Sequence, residues 1–342
     1  MRAFGGKVDP ASQALGIIAT SLKDIYRYLE PSFFKGDIFV CKDFNDKTCY
    51  DEAKGIRLYD KNVLLNYSDS LMIIQVFNEN SRMLLWKDQD PDKLLKRKKT
   101  LVYHFKANKE CFFANGTKID VTIHDRGSRF ADQFINLSRD LHEYSASKIR
   151  KSSCSHFFQS WAEDDRIFFR GGGSGSNIPE KFMQLSLHEF LSSVSRGISI
   201  SPLREYNTMG NEAKPKPVDI MIQWREANRI ALIEVKFIGI VKKDSDGSIY
   251  ENGDSRVNEG MRQLKDYFDR AATDNPRTLI KSYLVVIDGR RNNVTVATRT
   301  INVADGMHYE NKELVIDEDK QFYKTMCNFE EPIRMFAEPI CR

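Results

Sequence analysis

Two periods of apolar spacing alternate along this 342-residue chain, and each change of period marks an element boundary. Residues 9 to 30 carry Leu15, Ile18, Leu22, Ile25 and Leu29 at helical spacing, with Asp9 as cap and Pro10 at the first position. Short strand-like runs follow: GDIFV, KNVLL, SLMIIQVF, RMLLW, LVYHF, ECFF and IDVTI. Asn115-Gly116, between the last two, is the residue pair a two-residue hairpin turn demands. Helical spacing returns over 129 to 150, with Phe130, Phe134, Leu137, Leu141 and Tyr144 on one side. The pattern predicts an α+β domain over residues 1–150, closed by that helix. A connecting segment over 151–178 holds the stretch Arg170 to Ser176, RGGGSGS, which reads as a flexible boundary, with a substrate-facing loop as the alternative. Phe157, Phe158 and Trp161 just upstream are candidates for interdomain packing.

The remaining residues, 179–342, read differently. PEKFMQLSLHEFLSSVSR starts on Pro179 and spaces Met183, Leu187, Phe190 and Val194 as a helix. A strand is expected at about 197 to 206, then the polar turn before PVDIMIQW and RIALIEVKFIG, two strands of one hairpin turning at 225 to 228. KKDSDGSIYENGDSR, 242 to 256, reads as a solvated loop. Residues 257 to 272 place Val257, Met261, Leu264, Phe268 and Ala271 on a helical stripe. TLIKSYLVVIDG and NNVTVATRTINV read as two further strands, and the tail as one strand and a last helix. Helix, three strands, helix, strand is the order of an α/β core with a mixed central sheet flanked by helices.

Within that hairpin lies the chemistry. Strand side chains alternate, so Glu234 and Lys236 share a face, and a turn at 225 to 228 lets Asp219 lie beside Glu234. Glu234 and Lys236 interrupt the apolar run LIEVKF, where a charge is costly without a partner or a task. The plain alternative is a surface ion pair. Two carboxylates beside an ammonium suit a hard cation: magnesium keeps several waters and needs one or two carboxylates when a substrate phosphate supplies the rest. A lysine beside such an ion can orient or deprotonate a water.

Asp219 followed by Glu234-Val235-Lys236 resembles the PD-(D/E)XK nuclease superfamily, with Val218 standing between Pro217 and the first acid. Gln263 and Tyr267, four residues apart on the following helix, are similar to the Gln-x-x-x-Tyr element of the RecB-like and lambda-exonuclease-like branches. The resemblance covers roughly residues 179 to 300. It implies a restriction-endonuclease-like core, a Mg2+ site on Asp219 and Glu234 in which Mn2+ substitutes, a water-positioning Lys236, and substrate support from Gln263 and Tyr267. It also implies a third acidic ligand on the preceding helix. Glu189 is the candidate there, with His188 as the alternative.

Composition narrows the field without deciding it. An apolar content of 41% and a charged content of 29% describe an ordinary globular chain. No apolar run of eighteen residues and no leader-like segment follows Met1, so a cytoplasmic protein without membrane contact is expected. Cys41, Cys49, Cys111, Cys154, Cys327 and Cys341 lack Cys-x-x-Cys spacing, which suggests reduced thiols. A net charge of +4 permits nucleic-acid binding without demanding it. Lys93 and Lys96 to Lys99, Lys148 to Lys151, Lys242-Lys243 and Arg290-Arg291 are the basic clusters, and Lys242-Lys243 has the best claim on a phosphate backbone.

The expectation is therefore a Mg2+-dependent nuclease acting on nucleic acid, most readily DNA, of the kind found in restriction, mobile-element or antiphage defence systems. An RNA-cleaving effector of the same fold and a non-catalytic nucleic-acid-binding subunit are the alternatives. Residues 1–150 are left for recognition, for sensing, or for contact with a second copy or a protein partner.

Overall fold

The computed structural model describes residues 9–67, 70–78, 82–107, 109–119, 133–149, 162, 167–171, 178–194, 201–207, 217–225, 227–301, 309–310 and 312–337. It divides into two units, Met1–Asn136 with Glu226–Asn228, and Leu137–Arg225 with Arg229–Arg342. The expected boundary at 150 therefore moves back into the helix around residue 137.

The first unit opens with α1, Pro10–Ile25, capped as expected by Asp9, whose side chain accepts from Ser12 N. Ala14, Ile18, Leu22 and Ile25 form its buried stripe, while Leu15 stands exposed. Seven strands follow: β1 Asp37–Asp43, β2 Ile56–Arg57, β3 Leu71–Val76, β4 Met83–Trp86, β5 Thr100–Lys106, β6 Lys109–Ala114 and β7 Thr117–Ile119, with a one-turn α2 at Pro91–Leu95. They form one sheet in the order β2-β4-β3-β1-β5-β6-β7, parallel only between β1 and β3. Alternation puts Ile38 and Val40 in the core under α1, and Phe39 and Cys41 in a second core with Trp86 and Leu94. KNVLL is not a strand: residues Lys61–Asn66 coil into 3-10 turns, because the Asp60 side chain accepts from Asn62 N and starts a helical turn there. Asn115 and Gly116 both have positive φ, as the predicted turn requires.

The division falls within α3, Gln133–Tyr144, whose residues from Leu137 belong to the second unit and which one π turn over Ser145–Ile149 continues. Next come β8 Phe169–Gly171, α4 Ile178–Val194, β9 Ser201–Asn207, β10 Pro217–Trp224, β11 Arg229–Lys243, β12 Ile249–Asn252, α5 Ser255–Asp274, β13 Leu279–Asp288 and β14 Ile333–Phe336. The unit is α/β, with a mixed sheet flanked by helices. Its path is β14-β13-β11-β10-β9, parallel on the β13 side of β11 and antiparallel on the β10 side.

β11 organises everything else. Its fifteen residues pair first with β10 and then, past Gly239, with β12 and β8. Gly239 has φ +139°, a conformation open only to glycine, and a Cβ there would sit 3.0 Å from the Gly289 backbone and the Phe237 ring. The strand bends there from one set of partners to the next. Two expectations change as a result. Arg170 and Gly171 are strand residues paired with Lys242 and Lys243, not linker, and residues 249 to 252 are the second arm of a hairpin, not loop. Gly172 to Ser176, like Phe157, Phe158 and Trp161, lie outside the described residues.

Beneath this sheet α5 buries Val257, Met261, Leu264, Tyr267 and Ala271 against Ile230, Leu232, Ile280 and Leu284. Of the predicted strand NNVTVATRTINV, the described residues 292–301 form no strand: Asn293 has positive φ, and Thr295 and Thr298 hydrogen bond locally through Thr295 N to Thr298 Oγ1 and Ala297 N to Thr295 Oγ1. Such local bonds compete with a ladder. The edge of β13 is instead taken by β14, and the tail's expected helix is two 3-10 turns, Glu318–Lys320 and Phe322–Lys324. Among the described residues no helix is long and apolar enough to cross a membrane.

Arg290 is not a surface cation. It is 6% exposed, and donates from Nε and Nη2 to Asp288, which is fully buried and also accepts from Arg334 Nε at 2.8 Å. Removing one member of such a cluster strands buried charge. Asp288→Ala is expected to destabilise the fold by about 3–5 kcal/mol, which a denaturant titration would register; a loss under 1 kcal/mol would show the cluster to be idle.

Candidate functional site

β10 and β11 are held in register from Ile220 opposite Ile233 to Trp224 opposite Arg229. Continuing by one residue sets Asp219 across from Glu234, as the hairpin reading required. At that point the backbone ladder stops. Val235 N donates to Asp219 Oδ2 at 2.7 Å, and Phe237 N donates to Glu180 Oε1 at 3.2 Å. Residues i and i+2 of a strand direct their N–H groups to the same edge, so two carboxylates replace the backbone partners that β10 no longer supplies. Charge is thereby drawn to the spot where the strands part.

Glu234 and Lys236 lie on the face of β11 turned to α5, continuing the row of Ile230 and Leu232. Both are buried, at 2% and 5% exposure, and Lys236 Nζ donates to Glu234 Oε1 at 2.5 Å. The other oxygen of Glu234, Oε2, is buried without a protein partner. Burial first, and then the nearby Asp219 carboxylate, push the Glu234 carboxyl up to about 8 against the pull of Lys236. Burial draws the Lys236 ammonium down, but Glu234, Glu180 and Asp219 together outweigh it and leave its pKa raised. Lys236 therefore keeps its proton in the absence of a further cation. The Tyr267 hydroxyl is raised by burial and then by the fields of Glu234 and Asp219.

Close approach of α5 depends on Gly260. A Cβ there would lie 2.8 Å from both Lys236 Cγ and Leu284 Cδ1, so only glycine lets the lysine stem pass under the helix. The same helix supplies Arg256, Glu259 and Gln263. Arg256 Nη2 donates to both oxygens of Glu180, at 2.7 and 2.8 Å, and Nη1 to Glu259 Oε2 at 2.5 Å. Gln263 Nε2 donates to the other Glu259 oxygen at 3.3 Å, and Gln263 Oε1 is buried without a protein partner. Tyr267 proves to be part of the buried stripe, 2% exposed, and not merely beside it.

The acid that the preceding helix brings to this cluster is Glu180, not Glu189. The two are nine residues apart, which at about 100° per residue is half a turn around the helix. Glu189 is accordingly exposed, and His188 neighbours it in the sequence, while Glu180 in the first turn meets β11 and α5. Gln184, one turn after Glu180, is nearly buried and donates from Nε2 to Asp219 O at 2.9 Å, holding the start of β10. The spacing Glu180-x-x-x-Gln184 at a helix start was the available signal, since both project on one face.

Oxygen donors, two of them carboxylates set side by side and one with an orphaned buried oxygen, fit a hard divalent ion. Among the described residues no group of three or more His, Cys, Asp or Glu could hold a metal by itself, so part of the coordination shell would come from water or substrate. Lys242 and Lys243 lie at the far end of β11, half-buried, with Lys243 Nζ 5.4 Å from the Tyr250 ring centre. In the first unit Arg97 is tied to Asp43 and Lys98 to Asn115 O, so that run is partly structural. Comparison with family models, with curated proteins and with solved structures finds no match for this chain.

Two outcomes follow. A carboxyl whose folded pKa of about 8 lies above its ordinary 4.5 contributes stability at low pH that is lost as pH rises through 8. Glutamine at 234 has no proton to lose, so the melting temperature of Glu234→Gln should gain on that of the wild type between pH 5 and pH 9, measured without metal; parallel curves would place the Glu234 pKa near normal. Gly260→Ala should lower stability by about 1–3 kcal/mol through overpacking, despite the better helix propensity of alanine, and a rise in the unfolding midpoint would show that the helix can yield.

Proposed function

We propose that this chain is a divalent-metal-dependent nuclease of the PD-(D/E)XK type, with DNA as its substrate. The observation that carries the reading is the convergence of Asp219, Glu234 and Lys236 where β10 and β11 part, with a buried Glu234 oxygen left without a protein partner. Chain order supports it: an acid on α4, an acid on β10, Glu-x-Lys on β11, then Gln-x-x-x-Tyr on α5. In this reading Leu137–Arg342 contains a restriction-endonuclease-like core, and the first unit is a separate α+β domain that serves recognition, sensing or partner contact. A cytoplasmic place in a restriction, mobile-element or antiphage defence system accords with it.

Asp219 and Glu234 would hold Mg2+ or Mn2+. The ion, when bound, lowers the pKa of a coordinated water and neutralises charge building on the phosphate. Lys236 is fixed by Glu234 at one end and by the Gly260 gap along its stem, so its ammonium is aimed before substrate arrives. It orients the attacking water and balances negative charge in the transition state. Gln263 presents a buried amide oxygen, and Tyr267 a hydroxyl that stays protonated beside the acids, to the substrate side of the site. Gln184 positions Asp219 through its carbonyl, without reaching the reacting atoms.

The test is cleavage of linear duplex, circular duplex and single-stranded DNA, and of RNA, with Mg2+ or Mn2+. Wild type should give products that chelation abolishes, and Asp219→Ala or Lys236→Ala should lower the rate by about 10²-fold or more. RNA as the better substrate would move the assignment to an RNA-cleaving enzyme. Products that persist in Asp219→Ala would remove the activity from this site.

A further inference from the structure

Glu180 stands next to the acid pair, yet its oxygens are already engaged. Oε1 accepts from Phe237 N at 3.2 Å and from Arg256 Nη2 at 2.7 Å, and Oε2 accepts from the same nitrogen at 2.8 Å. Arg256 is pinned from its other side by Glu259 at 2.5 Å. These are charge-assisted lengths, and a guanidinium does not give up its proton. Burial lowers the affinity of Arg256 for its proton, but Glu180 and then Glu259 more than restore it, so the cation is permanent. A metal ion that claimed Glu180 would have to bind an oxygen that already accepts from this cation, setting two like charges against one carboxylate.

Charge points the same way. Counted over these described side chains alone, Asp219, Glu234, Glu180 and Glu259 are four carboxylates, and Lys236 and Arg256 two cations, a formal charge of −2 when all are ionised. One divalent ion cancels that. A second would leave +2 in a largely buried cluster beside a phosphodiester carrying a single negative charge, and uncompensated charge in such a place is costly.

We propose that Arg256 is a built-in cation that takes Glu180 out of the metal-ligand set, so that the site takes one divalent ion, on Asp219 and Glu234. The inference rests on the metal-site reading above. Arg256 is then a positioning residue: it supplies the charge that a second ion would otherwise bring and fixes α4 to α5 through Glu180. Glu180 serves as a clamp on Phe237 N–H and not as a ligand.

The experiment is a count of bound Mn2+ on the full chain without nucleic acid, following the free-ion signal by electron paramagnetic resonance. Wild type should bind one Mn2+ per chain and Asp219→Ala none. Glu180→Gln, whose amide oxygen can still accept from Phe237 N, should keep that one ion within about threefold of wild-type affinity, less than the about 10–100-fold cost of losing a hydrogen-bond partner of a ligand. Arg256→Met, by releasing Glu180, should admit a second ion. Two ions in wild type, or a tenfold weaker single ion in Glu180→Gln, would overturn the role given to Arg256 while leaving the metal site standing. No bound Mn2+ in wild type, or an ion that survives Asp219→Ala, would instead overturn the metal-site reading itself. The wild-type and Glu180→Gln counts decide the matter even if Arg256→Met does not fold.

Discussion

The N–H groups of Val235 and Phe237 need acceptors at an edge of β11 from which β10 has parted, and the structure gives them carboxylates. The rest of the second unit depends on that constraint. A buried donor without a partner costs about 1–3 kcal/mol, so once the strands part something must cap them. Asp219 and Glu180 do so, and in doing so each is fixed within reach of Glu234 and Lys236 on the same stretch of strand. Structural need and chemical opportunity coincide at one point. Capping is what brings the acids in; Glu234 and Lys236, buried on the α5 face, are what make the place unlike an ordinary strand end.

From this point the supporting parts can be placed in order. Gly239 lets β11 bend away after the site and recruit β12 and β8. Gly260 lets α5 lie against the Lys236 stem, which carries Arg256, Glu259, Gln263 and Tyr267 to the same region. Glu180, Arg256, Glu259 and Gln263 then form a continuous chain of polar contacts from α4 along α5. The buried Asp288 cluster with Arg290 and Arg334 anchors the end of β13, the parallel neighbour of β11. A site built in this way sits on strands and helices, and Glu234 Oε2, Gln263 Oε1 and Arg256 Nε are polar atoms of its network buried without a hydrogen-bond partner.

Some of this was legible residue by residue. The charges of Glu234 and Lys236 inside LIEVKF could be singled out because strand alternation and the cost of burial are local facts. The hairpin register followed from its short turn, which is why the sequence alone sets Asp219 beside Glu234. The stripe of α5 was legible from its period, with Tyr267 and Phe268 exchanged in depth. Glu189 was the failure on α4: apolar spacing on a helix with many buried positions does not say which end meets the sheet, and the acid in the first turn proved nearer. NNVTVATRTINV failed for a related reason, since β propensity yields to threonine side-chain bonds when the neighbouring edge of β13 is already taken by β14.

By itself the sequence determined the elements with a clear period, the pairing of one hairpin, and the presence of an acid, a Glu-x-Lys step and a Gln-x-x-x-Tyr helix in an α/β order. These depend on neighbours within a few residues, whose geometry is set by covalent spacing and turn chemistry. Only the tertiary structure decided that Glu180 reaches the hairpin, that Arg256 occupies it, that Gly260 makes room for Lys236, and that Arg290 is buried on Asp288. The first three join residues two dozen or more positions apart, and the last depends on β14 bringing Arg334 onto the same carboxylate; where such residues meet is settled by how helices and strands pack on the sheet, which the local pattern does not encode.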